Sequence, residues 1–376
     1  MTRFAIKTLL ADKGKLLIAL TGVAFSLLLV NVQGGLFLGL MDKASVLIDH
    51  CPADIWVAHR NTENVDLAHD IPETWLNRIR GLQEVAQAEP YVVGKGIATL
   101  ADGGFEDVWI IGSDPKSMMG SGWSFLEGTV DDLRRPYCIS YDTVDDRKLG
   151  APAVGDIIEI NRRRATVVAR TSGIQGFMTT PYLFAEINTA REYSRIPAGF
   201  CSFFLVRARP GSDHAQLAAT IQGLLPETDV HTAAEFRQLS KDYWLQRTGI
   251  GVSFGAATLL GLLVGLVMVA QSLYALVLDH LMEFATLKAI GAGSGTLLGV
   301  VLLQAVSIAM AGSIVGVAVT LVIAKYGSTP LAPILIPQAL LFGGIGVVFT
   351  LSVGAALLPL RRLRAIDTAI VLQGGV

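Results

Sequence analysis

Charge is what this chain has least of. Asp, Glu, Lys and Arg make up 16% of its residues, against 52% hydrophobic, and mean hydropathy is +0.51. An ordinary soluble domain carries about 25% charged residues. Part of this chain therefore belongs out of water, and its remaining polar residues argue for a water-soluble part beside it. Net charge is −2, so the electrostatic footprint of a nucleic-acid binder is missing. Cysteine is scarce as well. Cys51, Cys138 and Cys201 lack metal-ligand spacing; they allow one disulfide with a thiol left over, or three structural thiols.

Catalytic signatures are missing too. His50, His59, His69, His214, His231 and His280 are scattered, with no HExxH and no CxxC, and the absence of GxxxxGK[ST] excludes a P-loop. "GSDPKSMMGSG" reads as a turn after a strand. Asp131/Asp132 and Asp145/Asp146 have no convergent partner and read as solvated loop charges. "NRRRAT" (161–166) reads as a hairpin tip with solvated arginines. Neither a metal nor a cofactor bound by this chain is expected, and the chain is not expected to be an enzyme.

What the chain does have is long uncharged runs. Leu16–Leu40, Gly249–Leu278, Ala289–Ala324 and Gln338–Leu360 contain no charged residue, and about 20 apolar residues suffice to span a bilayer. The first run is too long for a signal-peptide core and reads as a retained anchor. The third begins with the glycine-rich "AIGAGSGT", which reads as the turn entering its helix. Arg3, Lys7, Lys13 and Lys15 precede the first run; Arg361, Arg362 and Arg364 follow the last. Positive charge marks the cytoplasmic side, so both termini are expected in the cytoplasm and residues 41–248 on the far side.

That exported region reads as an α+β domain, in one piece or two subdomains. "ADIWVAH" reads as an alternating strand, "PETWLNRIRGL" as a short helix with Trp75, Leu76 and Ile79 on one face, and "EDVWIIGSD" as a strand. "GDIIEINRRRATVVAR" reads as a hairpin. Ser212/Asp213 mark a helix start. Residues 128–180 form a β-rich middle. The helical pattern at 232–247 is expected to run straight into the second span.

Inside the spans, the polar residues Asn31, Gln33, Gln271 and Gln304 more often join helices than line a pathway. Gly34 and Gly35 in span one, and the GxxxG of Gly261 and Gly265 in span two, permit close helix approach and are compatible with a dimer. Ion-coupled carriers keep ionisable groups at membrane depth; these spans have none, so energy would have to come from another protein.

Between spans two and three lies "LDHLMEFATLKAIGAGSG" (278–295). On a helix, Leu281, Phe284, Ala285 and Lys288 share a side, while Glu283 and Thr286 lie elsewhere. The pattern alone supports two readings: a plain interfacial helix, or a docking helix for a cytoplasmic partner.

Here the sequence resembles a known family. "MEFATLKAIGA" is similar to the "RE-x-x-x-L-[KR]-A-[IL]-G-A" signature of FtsX/MacB-type ABC permeases, matching at Glu283, Leu287, Lys288, Ala289, Gly291 and Ala292, with Met282 where Arg is usual. "GDIIEINRRRATVVAR", "FFLVRARPGSDHAQLAATIQGLL" and the tail "PLRRLRAIDTAIVLQGG" resemble other segments of that family, the tail with Thr368 where Pro is usual. The first 65 or so residues resemble the DevC branch, permeases of DevBCA-type exporters.

The resemblance implies an α-helical membrane protein of the MacB/FtsX (type VII ABC) class, with four transmembrane helices and a large α+β periplasmic domain between helices 1 and 2. The expected boundaries are a cytoplasmic segment 1–15, spans 16–40, 249–278, 293–324 and 338–360, a periplasmic domain 41–248, a coupling helix 279–292, a periplasmic loop 325–337 and a cytoplasmic tail 361–376. Glu283, Phe284, Leu287, Lys288 and Gly291 would couple to a separate ABC ATPase (DevA/MacB-like), which holds ATP and Mg. Further expected partners are a DevB-like membrane-fusion adaptor, a TolC-like outer-membrane channel, a second permease copy and the lipids of the inner membrane. The implied function is mechanotransmission: ATPase motion passes across the membrane to export a hydrophobic or amphipathic substrate. A lipoprotein-releasing (LolC/LolE-like) permease and an FtsX-like signalling permease share the layout.

Overall fold

The computed structural model describes residues 2–357. The basic cluster at 361–364, the tail motif and the end of the fourth expected span lie outside the described residues. The chain divides into a helical unit (residues 1–39 and 250–376) and an α/β unit (residues 40–249).

The helical unit opens with α1 (Thr2–Ala11) and α2 (Lys13–Lys43). Asp12 separates them: its carboxylate accepts from the backbone N–H of Lys15 (3.1 Å) and so caps α2. The α/β unit continues with α3 (Val46–Asp49), β1 (Ile55–His59), β2 (Ile71–Pro72), α4 (Leu76–Arg80), β3 (Val85–Thr99), β4 (Phe105–Ser113), β5 (Phe125–Glu127) and β6 (Cys138–Asp142). Then come α5 (Asp146–Leu149), β7 (Ile157–Ile160), β8 (Arg163–Thr171), β9 (Tyr182–Glu186), α6 (Ile187–Ser194), β10 (Phe200–Cys201), β11 (Phe203–Ala208), α7 (His214–Leu224), β12 (Thr228–Thr232) and α8 (Ala233–Arg247). The helical unit resumes with α9 (Ile250–Asp279), α10 (Leu281–Ala289), α11 (Ser294–Gly327) and α12 (Gln338–Ala355).

One sheet carries the α/β unit, in the order β12-β1-β11-β3-β4-β9-β6-β8-β5. β7 pairs with both β3 and β8, so β3, β4, β9, β6, β8 and β7 close into a ring. The β7–β3 pairing closes the ring and covers the edge that β7 would otherwise expose. Ile160, Ala165, Val167, Ile139, Ile110 and Leu183 are buried in one cluster with these strands. The β7–β8 connection is a two-residue turn, Asn161 and Arg162, with φ of 47° and 66°. Both central residues left-handed is the type I′ geometry that matches strand twist.

β1 does not alternate in exposure as its sequence suggests: Ile55, Trp56, Val57 and Ala58 are all buried. The alternation is real but has apolar matter on both sides. Ile55 and Val57 face a cluster shared with Leu76 and Ile79 of α4 and with Leu217 and Ile221 of α7. Trp56 and Ala58 face a second cluster with Leu47, Phe203 and Phe236. Each fully buried large side chain contributes about 1.5–3 kcal/mol. All three cysteines are free and buried. Burial pushes the Cys51 and Cys201 thiols up to about 12, so both stay protonated.

Two expectations fail here. The helix at 232–247 does not run unbroken into span two. α8 ends at Arg247, the Thr248 hydroxyl turns back onto the Trp244 carbonyl, and Gly249 sits at φ +67°, a left-handed conformation that a helix interior does not admit. The pair Asp145/Asp146 is not solvated. Asp145 is 1% exposed, and Asp146 accepts from Arg170 (2.8 Å) and from the Tyr141 hydroxyl (2.8 Å). Tyr141 lies on β6 and Arg170 on β8, and the β6–β8 pairing brings Arg170 beside Asp146.

Among the described residues, four helices are long and apolar enough to cross a membrane: α2, α9, α11 and α12. Small residues set their spacing. A methyl group on Gly22 would lie 2.7 Å from Met268, one on Gly261 2.7 Å from Leu29, and one on Gly312 2.6 Å from Val23. The Ser26 hydroxyl donates to the Gly261 carbonyl at 2.8 Å. α2 thus touches α9 and α11 at backbone distance. The loop before α12 folds onto α2 as well, the Leu335 N–H donating to the Gly35 carbonyl (3.0 Å).

Candidate functional site: the helix between spans two and three

α10 is nine residues long and follows α9 after a single break at His280. The Phe284 N–H bonds the His280 carbonyl (3.0 Å), and His280 Nδ1 lies 2.6 Å from Glu283 Oε2. The first turn is therefore tied both by backbone and by side chain.

The two faces differ. Phe284 (1% exposed) and Ala285 are buried in the helical unit, Phe284 in one apolar cluster with Val277, Leu297 and partly buried Leu287. Met282 (50%), Glu283 and Ile290 (80%) point outward. The division follows the sequence spacing of Leu281, Phe284, Ala285 and Lys288, with Lys288 half-buried. An apolar pair beside one carboxylate, on a short helix held from behind, suits contact with another protein. Met in particular adapts to an irregular partner.

Gly291 ends the helix. It adopts φ +102°, its N–H bonds the Lys288 carbonyl (3.1 Å), and the Ala292 N–H bonds the Leu287 carbonyl (2.9 Å). This is a Schellman cap, and its left-handed position strongly favours glycine. The chain then turns directly into α11, whose N-cap is Gly293. The sequence marks Gly291 as part of a motif; the geometry gives it a backbone reason.

Of the packing glycines, Gly34 lies against Leu340 and Gly35 against Ile334. Gly261 lies against Leu29, and a methyl group on Gly265 would overlap Ser26. All four contacts are within the chain. Gly255, by contrast, faces open space.

The α/β unit offers a separate concave surface that the sequence did not reveal. A cleft of about 1110 Å³ is lined by Ile97, Phe105, Asp107, Glu159, Arg162 and Arg195 among others. Phe105 is 72% exposed there, the one signal available in the sequence being an aromatic beside "ADGG". Its charges are of both signs, and no nucleophile–base pair converges on it. Among the described residues no group of His, Cys, Asp and Glu could hold a metal ion.

Residues 16–224 match the model of the MacB-like periplasmic core domain, and residues 255–368 match that of the FtsX-like permease C-terminal region. The first match alone covers more than half the chain. The protein belongs to the FtsX/MacB-like family of ABC permeases. It is thus a membrane protein with a periplasmic domain, and the family implies an ABC ATPase as partner. The family's members are transmembrane subunits, generally non-catalytic.

Among solved structures, the periplasmic region of MacB from Actinobacillus actinomycetemcomitans is 12% identical, with a TM-score of 0.39, over 51% of this chain and 94% of that one. The extracellular domain of the noncanonic ABC-type transporter YknZ from Gram-positive bacteria is 14% identical, with a TM-score of 0.36, over 48% and 98%. A domain of a Porphyromonas gingivalis permease protein is 15% identical, with a TM-score of 0.35, over 49% and 90%. No curated protein matches.

Proposed function

We propose that this chain is the permease subunit of an ATP-driven export system, and that the ATPase acts on it through α10. The observation that carries the reading is the two-faced build of that helix. Met282, Glu283 and Ile290 offer an outward contact surface, while Phe284 anchors it between α9 and α11. Glu283 supplies the charged contact. Phe284 and Leu287 act from the inside, seating the helix, half-buried Lys288 lies at its margin, and Gly291 fixes its end. ATP and Mg stay on the partner.

In this reading α10 and both termini lie in the cytoplasm, the α/β unit lies in the periplasm, and the membrane is the bacterial inner membrane. The spans carry no charged residue across 16–40, 249–278, 289–324 and 338–360. That supports transmission of motion rather than a polar path for cargo. The cargo is then hydrophobic or amphipathic and is handled at the periplasmic face. The DevC-like N-terminal third supports a homodimer working with a membrane-fusion adaptor and a TolC-like channel.

Affinity purification of the chain from its native membrane in mild detergent, with partners identified by mass spectrometry, tests the reading. An ABC ATPase with an adaptor is the expected outcome. An ATPase with a periplasmic hydrolase and no adaptor would move the protein to an FtsX-like signalling role, and lipoprotein retained in the inner membrane on depletion to a LolC/LolE-like one. The absence of any ATPase would contradict the role given to α10.

A further inference from the structure

The N-terminal helix is joined to α10 and to the helix after it, and the first turn of α2 is joined to the helix before it. Phe4 packs edge-to-face on Phe284, ring centroids 5.9 Å apart at 90°. Gln304 of α11, 1% exposed, donates through Nε2 to the Thr8 hydroxyl (2.8 Å) and the Ala5 carbonyl (3.4 Å). Lys15, in the first turn of α2, is ion-paired with Asp12 (3.1 Å) and with Asp279, the last residue of α9. So α1 grips α10 and the helix after it, and the first turn of α2 grips the helix before it. Ala5, Thr8 and Leu9 are buried by these contacts, while Ile6 and Leu10 remain exposed.

The geometry points to α1 as a positioning strut for α10. We propose that Phe4 seats Phe284, that Thr8 ties that seat to α11, and that Lys15 at the start of α2 ties it to α9, so that force on α10 moves both spans together. Without the strut, a nine-residue helix joined to α9 through the single break at His280 and to α11 through Gly291–Gly293 would tilt under load instead of transmitting it. Its part in transmission rests on the ATPase reading above; its structural part does not.

Two readouts on the full-length permease in lipid nanodiscs separate these parts. The first is hydrogen exchange of the α10 amides. Phe4→Ala is expected to speed exchange at 284–290 by about two- to ten-fold, the bias that one edge-to-face aromatic pair supplies. Amides of β1 and β11 should not change, and Phe4→Leu should restore most of the protection. Unchanged exchange in α10 overturns the proposal. If Phe4→Ala lowers the yield of folded protein, Thr8→Val, which keeps the side-chain volume and removes the Gln304 acceptor, must shift the same amides.

The second readout is ATP turnover by the ATPase isolated with the permease. Phe4→Ala should lower the maximal rate about two- to ten-fold with KM for ATP unchanged, and Phe4→Leu should recover it. If Glu283→Lys abolishes stimulated turnover and Phe4→Ala leaves it unchanged, the strut's role in transmission is wrong and the coupling reading stands. If neither variant alters turnover, the coupling reading falls and the strut's role in transmission falls with it.

Discussion

The two units of this protein solve packing in opposite ways. In the α/β unit, large rings fill the core: Trp56 contacts Tyr91 (5.7 Å), Phe203 (5.4 Å) and Phe236 (5.6 Å), all fully buried. In the helical unit the contacts are made by what is missing, with Gly22, Gly261, Gly265, Gly312 and Gly316 letting helices approach to backbone distance. The difference follows from the solvent. Water rewards burial of apolar area, so aromatic bulk stabilises the first unit. Lipid tails are as apolar as leucine, so helices surrounded by them gain mainly by close fit and short hydrogen bonds. The Ser26–Gly261 contact is one such bond.

The comparison can be broken at its strongest point first. Phe236→Ala should cost the α/β unit about 3–5 kcal/mol, read by urea unfolding followed through tryptophan fluorescence, and leave the protease protection of the spans intact. A loss below about 1 kcal/mol would mean that the aromatic cluster is not the core it resembles.

Next in size is a pH effect confined to the α/β unit. Burial pushes Asp145 up from 3.8 to about 7 and Asp66 to about 6. Lys148 and Lys43 oppose the Asp145 shift, and Asp142 and Glu106 add to it. The folded state therefore binds more protons than the unfolded state between about pH 4 and 7. Stability is greatest at the acidic side of that window and declines as pH rises through it. Asp145→Asn should flatten that decline and stabilise the unit at pH 8. An unaltered pH profile in the variant would remove Asp145 as its source.

How much of this was legible in the sequence depends on how far apart the partners lie. The β7–β8 hairpin was legible because its turn is local, as was the inward side of α10. The closed strand ring was not: β4 with β9 and β6 with β8 are parallel pairs, joined by long connections that leave no local signature. Asp145 was misread as solvated because groups far from it in sequence, Lys43 and Glu106, lie near it in the fold. The tie from Gln304 to Ala5 joins residues 299 positions apart, and no periodicity announces it. Gly249 was overlooked because one glycine between two helical patterns signals a break only when its φ is known.

Two smaller effects sharpen the account of the helical unit. Gly265→Leu should cost about 1–3 kcal/mol by forcing α9 from α2, measured by detergent-titration unfolding. Gly255→Ala, which meets no neighbour, should stay within about 0.5 kcal/mol. Gly291→Ala places a side chain at φ +102° and should cost about 1–2 kcal/mol locally. That loss should appear as faster exchange of the Gly291 and Ala292 amides.

The central claim is that the outward face of α10 meets the ATPase. A photo-crosslinking amino acid at Met282, Glu283 or Ile290, activated in native membranes, tests it most directly. Tyr326, at the opposite end of α11 and 77% exposed, serves as the control. The account predicts one ATP-binding protein captured from all three α10 positions and none from Tyr326. Capture from Tyr326 instead, or no ATP-binding protein from α10, would contradict it.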